Sequence, residues 1–314
     1  MRYERRHKES GHGRRIRKIS ARYRQIQAGD EARGFTLIEL LVVISIISML
    51  MAVMLPTLGR VKRKVRAMES MSNQREVTSG VNLFASDNDE RYPESVATVG
   101  FGDNWNWSDP TKLAGNRHRS PGLHRAMSEY LRSYIPDART VYCPDAPQRY
   151  TYLQQAWDAG DNWDYPEDGA FSADPVGGTF CFYWNYVGFL GGRRAIFRGP
   201  QGPASGGRNS KLLVTDYYGY GHWRSPWSHS SCERFEGAKV TPETWLLSAY
   251  WSREGDPENP PEIKLRAGYT DGHVETYSPS DVVPMKVSIT ADGSVPYPEG
   301  MGPGIFFLPR GAFQ

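Results

Sequence analysis

Residues 35–55 read FTLIELLVVISIISMLMAVML, twenty-one positions without Lys, Arg, Asp, Asn, Gln or His. As a helix rising about 1.5 Å per residue, this run is roughly 30 Å long, the thickness of a bilayer's hydrocarbon core. One ionisable residue, Glu39, interrupts it near the start. An acid inside a membrane helix costs on the order of 2–3 kcal/mol on insertion scales. Glu39 therefore either reaches the headgroup level or receives a partner later.

The flanks give the run a direction. Residues 1–33 hold eleven Lys/Arg against four Asp/Glu, a net +7, whereas the whole chain carries +3, which leaves −4 for the remainder. A basic head suits nucleic acid, an anionic membrane or a topology signal. The apolar run that follows selects the topology signal, and no nucleic-acid partner is expected. The positive-inside rule holds the arm in the cytoplasm while the C-terminal mass crosses. Arg60, Lys62, Arg63, Lys64 and Arg66 pull mildly the other way, against a heavier N-terminal excess. An ordinary secretory signal has an apolar region of about 7–15 residues and then a small-residue cleavage site. This run is longer, and no A-x-A pattern follows it.

The string Arg33-Gly34-Phe35-Thr36-Leu37-Ile38-Glu39-Leu40-Leu41-Val42-Val43 resembles the N-terminus of type IV prepilins and type II secretion pseudopilins. The resemblance implies cleavage by a prepilin peptidase between Gly34 and Phe35, and methylation of the new Phe35 amino group. It further implies that Glu39 guides assembly with other pilin or pseudopilin subunits and that Pro56 kinks the helix. The residue chemistry agrees. Gly34 offers a protease no obstructing side chain, and Pro56 removes a helical N–H while crowding the preceding turn. A Glu39 buried between stacked subunits would be compensated by the amino terminus of a neighbouring Phe35, which would set axial register. The implied location is the bacterial inner membrane, single-pass, with a cytoplasmic N-terminus and a periplasmic head, and then a pilus or pseudopilus. Residues 1–33 exceed the short leader usual in this family; initiation nearer Arg33 is the alternative.

The expected organisation is a basic leader (1–34), a transmembrane helix (35–55), an amphipathic continuation (56–86) and an extracytoplasmic head (87–314). Leu58, Val61, Val65, Met68, Val77, Val81 and Phe84 recur mostly at steps of three or four, an apolar helical stripe that would pack on the head. Asp87-Asn88-Asp89-Glu90-Arg91-Tyr92-Pro93 then predicts a helix stop near Ser86. The fold class expected is α+β, a long N-terminal helix on a small antiparallel sheet with long loops. Thirty-two Gly and twenty-two Pro fit that loop content. Residues 212–214 and 273–277 read as strands, with Asp271-Gly272 as a tight turn before the second.

Val141-Tyr142-Cys143-Pro144-Asp145, Phe182-Tyr183-Trp184-Asn185-Tyr186, Leu212-Leu213-Val214-Thr215-Asp216 and Tyr269-Thr270-Asp271-Gly272-His273-Val274-Glu275 resemble landmarks of the large pilin-like proteins of planctomycetes and related bacteria. Those proteins carry a C-terminal H-x9-DG element. Here Asp271-Gly272 supplies its second half, but Pro261 stands where the histidine belongs.

No cofactor is expected, and two weak metal sites are considered. Asp87, Asn88 and Asp89 offer oxygens to calcium without EF-hand spacing, so a solvated turn is the plainer reading. Asp271 and His273, with Glu275 on the same face and Asp216 assisting, could hold a divalent metal, although polar residues on a wet strand need none. Trp105, Trp107, Trp157, Trp163, Trp223, Trp227, Trp245 and Trp251 suit core packing better than sugar stacking. Cys143, Cys181 and Cys232 form no CxxC pair; export would allow two of them to join, with buried reduced thiols as the alternative. The chain has no G-x-S-x-G, H-E-x-x-H, P-loop or dinucleotide fingerprint, so no enzyme is expected. The leading function is a pilus or pseudopilus subunit. The alternative is a membrane-anchored extracytoplasmic binding protein, of carbohydrate for example, that uses a pilin-type export signal. A third, enzymatic reading would rest on Asp216, Asp271 and His273.

Overall fold

The computed structural model describes residues 34–97, 109–114, 126–147, 151–160, 163, 176–190, 196–205, 210–222, 225–243, 248–254, 262–286 and 305–313. The basic arm 1–33, Trp105, Trp107, Trp223, Trp245 and Pro261 lie outside them. The chain is a long apolar N-terminal helix followed by antiparallel sheets, an α+β pilin-like arrangement. It divides into two compact units, one ending at Arg60 and the other spanning Val61–Gln314.

Helix α1 runs from Leu37 to Asp87, 51 residues. Its first part is long and apolar enough to cross a membrane, and none of that stretch is buried. Polar side chains here bond back to their own helix, as the Ser45 hydroxyl does to the Leu41 carbonyl at 2.7 Å. α1 continues through Pro56, which has no N–H to give the Ala52 carbonyl. The Thr57 hydroxyl bonds the Met54 carbonyl at 2.8 Å. The helix ends one residue beyond the expected stop. Ala85 carbonyl takes the N–H groups of Asn88 (3.0 Å) and Glu90 (2.9 Å), and Asp89 and Glu90 adopt φ of 54° and 58°, a left-handed closure.

The expected stripe is only half used. Leu58, Val61, Val65 and Met68 are exposed. Burial begins at Ser70 and continues through Gln74, Val77, Thr78, Gly80, Val81 and Ala85. Periodicity marked the right helix, but the interior takes up small and polar residues as readily as branched ones.

Among the described residues three sheets follow, larger together than the small sheet expected. Strands β1 (Lys112–Ala114) and β2 (Val176–Gly177) make a two-stranded ribbon. Strands β3 (Phe180–Phe182), β6 (Leu212–Asp216), β11 (Leu265–Tyr269) and β12 (Val274–Tyr277) form a four-stranded sheet in the order β12-β11-β6-β3. An eight-stranded sheet takes the order β5-β4-β13-β14-β7-β8-β10-β9. Its members are β4 (Val187–Leu190), β5 (Ile196–Arg198), β7 (Tyr218–His222), β8 (Ser225–Ser230), β9 (Lys239–Glu243), β10 (Ser248–Arg253), β13 (Val282–Lys286) and β14 (Ile305–Pro309). Short helices α2 (Met127–Leu131) and α3 (Thr151–Asp158) precede β2.

The four-stranded sheet receives the buried face of α1. A Cβ on Gly268 would lie 2.9 Å from Val214 Cγ1 and 3.0 Å from Thr78 Cγ2, so its bare Cα sets how closely helix and sheet approach. Asn82 Nδ2 also donates to the Thr270 carbonyl at 2.8 Å. Strand β3 alternates between layers: Phe180 and Phe182 join a core with Val77, Val81 and Val214, whereas Cys181 joins Tyr183, Ala267 and Phe306. Trp163 and Trp184 are buried and Trp157 packs against the same core, its ring 5.6 Å from that of Trp163, in line with a structural role for those indoles.

Candidate functional site

Gly34, Phe35 and Thr36 precede the first helical residue, and nothing lies within 4 Å of where a Gly34 Cβ would stand. Thr36 then caps α1. Its hydroxyl accepts the Glu39 N–H at 3.2 Å and donates to Glu39 Oε2 at 2.8 Å. The same Oε2 takes the Thr36 N–H at 2.8 Å, and the Thr36 carbonyl accepts from Leu40 at 3.2 Å. Thr36-Leu37-Ile38-Glu39 is thus a capping box, a Thr whose third successor is Glu, which satisfies two N–H groups that a helix start leaves bare. The sequence carries this signal in Thr36, three residues before Glu39. The capping box fixes the only acid of the apolar run four residues beyond the residue whose amine cleavage would free.

A second constellation anchors the rear of α1. Asp216, at the end of β6, is buried. Its Oδ1 accepts Gln74 Nε2 (2.9 Å) and Ser70 Oγ (3.3 Å), one helical turn apart on α1. Its Oδ2 accepts the backbone N–H (3.1 Å) and Nη1 (2.9 Å) of Arg266 on β11. Burial pushes the Asp216 carboxyl up from its usual range, against the pull of Arg266. Burial is the largest single effect on the Arg266 guanidinium and works to lower it, but Asp216 together with Cys232, Cys143 and Glu233 outweighs burial and holds that group up. With four donors on two oxygens, Asp216 is the ionised member of a buried pair. Removing either partner would strand the other charge, a loss of about 3–5 kcal/mol.

The structure does not gather the metal ligands considered from sequence. Asp216 faces Arg266 at one end of the β6–β11 ladder, and Asp271 lies beyond Tyr269 at the other. Asp271 sits in the β11–β12 turn, where Gly272 takes φ of 85°. Its Oδ1 accepts the His273 N–H at 3.2 Å and bonds His273 Nδ1. Burial is the largest single effect on the Asp271 carboxyl and works to raise it, but the bonds and charge of His273 together bring it below its usual range. The His273 ring stacks on Tyr269 at 4.4 Å, and Glu275 Oε2 accepts from Tyr277 at 2.6 Å. This is a self-satisfied turn surface. At the other acidic cluster, Asp87 Oδ2 takes the Tyr134 hydroxyl at 3.0 Å and Asn88 Nδ2 bonds the Phe84 carbonyl at 2.7 Å, so both serve to finish α1.

All three cysteines are buried and unbonded to one another. Among the described residues, potential ligand atoms of Cys143, Asp216 and Cys232 lie within 4.8 Å of one another. Nothing local in the sequence forecasts this grouping, because its members are 73 and 16 positions apart. Nearby, a cleft of about 590 Å³ is lined by Arg66, Glu69, Asn73, Arg139 and Gln154 among others; its mixed charge selects no ligand class.

Residues 31–55 match the prokaryotic N-terminal methylation motif. That match covers the last residues of the basic arm and the apolar run, and is consistent with a type IV prepilin- or pseudopilin-like protein. The chain matches no curated protein and no solved structure.

Proposed function

We propose that this chain, which carries a type IV pilin-type export signal, is a structural subunit assembled through α1 into a type IV pilus or type II secretion pseudopilus. Prepilin peptidase cuts it between Gly34 and Phe35, and the Phe35 amine is methylated. The supporting observation is the capping box, which leaves the scissile bond just outside the helix and fixes the run's single carboxylate at the helix start.

Cleavage places an ammonium group at the positive pole of the α1 macrodipole, where a cation is disfavoured. Methylation keeps that charge. A carboxylate within reach offsets it, and in a stack the Glu39 of one subunit meets the Phe35 amine of the next. The apolar front of α1 is covered by lipid before assembly and by neighbouring subunits after it. In this role the chain is a substrate of processing rather than a catalyst, with its N-terminus in the cytoplasm and its head outside.

Intact-mass measurement and N-terminal sequencing of protein from membranes are expected to give a chain beginning at Phe35 with one added methyl. A retained arm, or a cut near Ala52, would defeat the proposal. Glu39→Ala should be processed normally and fail to co-assemble; normal assembly of that variant would overturn the role given to Glu39.

A further inference from the structure

We infer that Cys143 and Cys232 are joined by a disulfide in the mature protein, a modification that clasps the segment beneath the rear of α1 to the loop after β8. The inference rests on the proposed export of the head, because exported domains meet an oxidising compartment.

The fold chooses this pair from three possibilities. Cys181 belongs to a different core layer, with Tyr183, Leu212 and Ala267. Cys143 and Cys232 share one core with Val77, Trp163 and Phe180, and their sulfurs lie within 4.8 Å. Thr179 holds both: its hydroxyl accepts the Cys143 N–H at 2.6 Å, and its carbonyl accepts from Cys232 Sγ at 3.4 Å. Cys143 Sγ in turn reaches the Cys232 carbonyl at 3.7 Å. A disulfide needs the sulfurs about 2.05 Å apart, so from a separation within 4.8 Å they have to close by no more than about 3 Å.

The third member of the cluster argues against a metal. Both Asp216 oxygens are occupied by Ser70, Gln74 and Arg266, so a cation would have to break those bonds beside a guanidinium. A disulfide leaves all of them in place and removes two buried, weakly bonded thiols.

Oxidation breaks two S–H bonds and forms one S–S bond. The electron pair and both protons pass to the disulfide of a thiol–disulfide oxidoreductase, which leaves as a dithiol after a mixed-disulfide intermediate. Attack requires a thiolate. In the finished fold both thiols are about 1 % exposed, and burial, with Cys143 and Asp216 adding to it, pushes the Cys232 thiol up. The bond therefore forms while the translocated chain is still folding. It links positions 89 residues apart and stiffens the layer on which Asn73 Nδ2 grips the Arg139 and Tyr142 carbonyls at 3.0 and 3.1 Å.

The test takes full-length protein from membranes, alkylates its free thiols under denaturing conditions, and maps it without reduction. Expected are a Cys143–Cys232 cross-linked peptide, an alkylated Cys181, and a roughly 10 °C fall in unfolding midpoint on reduction that is absent from a Cys143→Ser, Cys232→Ser double variant. Alkylated Cys143 and Cys232 in protein that begins at Phe35 would overturn the pairing and leave the processing standing. A cross-linked pair behind an uncut arm would do the reverse, and free thiols with an uncut arm would overturn both. Zinc bound to free thiols would also sink the disulfide.

Discussion

Residues 37–65 of α1 are all exposed, whereas seven residues between Ser70 and Ala85 are buried. The exposed part holds the Leu, Ile, Val and Met of the apolar run, and the buried part includes Ser, Gln, Thr and Gly. In this helix apolarity and burial run in opposite directions. Within that front the apolar run, residues 40–55, presents mostly hydrocarbon on every side and suits a solvent of lipid or of like helices. The rear docks by fit and hydrogen bonding: Gly80 admits Ile135, Gly268 admits Thr78, and Ser70 and Gln74 satisfy a carboxylate.

Four substitutions sharpen or break this contrast, read on full-length protein in detergent. The largest effect belongs to Arg266→Met, which strands Asp216 and should cost about 3–5 kcal/mol in denaturant unfolding. An unchanged midpoint would show that the polar anchor contributes nothing. Gly268→Val drives a branched side chain into Val214 and Thr78; about 1–3 kcal/mol should be lost, and a neutral result would mean that helix and sheet can part freely.

Thr36→Val abolishes the cap for about 1 kcal/mol. That corresponds to roughly fivefold faster hydrogen exchange at the amides of residues 37–40, and unchanged protection there would remove the capping box from consideration. Smallest of all, Leu41→Ala in the exposed front should move the unfolding midpoint by less than about 0.5 kcal/mol. A substantial loss from Leu41→Ala would mean that the front half is buried after all.

What was legible in the sequence follows the same division. The apolar run, its acid and the helix end at Asp-Asn-Asp are local signals, written within a few residues of where they act. Strands β6 and β12 also announced themselves, through Leu-Leu-Val and through Asp-Gly ahead of Val-Glu-Thr-Tyr. Strands β7 and β8 did not: YGYGH and SPWSHS show no apolar alternation and become strands by pairing with each other and with β14 and β10. The grip on Asp216 was hidden because Arg266 lies 50 residues away and Ser70 146, separations at which only the folded topology decides who meets whom. The Asp271-Gly272 turn was read from local signals, whereas His273, expected to open the strand, precedes β12, and strand register carries both Asp271 and His273 away from Asp216.

Under the proposed processing, the capping box has a consequence for the peptidase that would act on this chain. Proteases bind substrate in extended form and cut most readily where the backbone is locally open. Thr36 marks the point past which further unravelling breaks hydrogen bonds, so under the proposed processing a peptidase would meet a reinforced rod directly behind Phe35. On that proposal the hydroxyl of one threonine would work as a gauge, steering the cut to a single bond and leaving every apolar residue of the rod on the retained side.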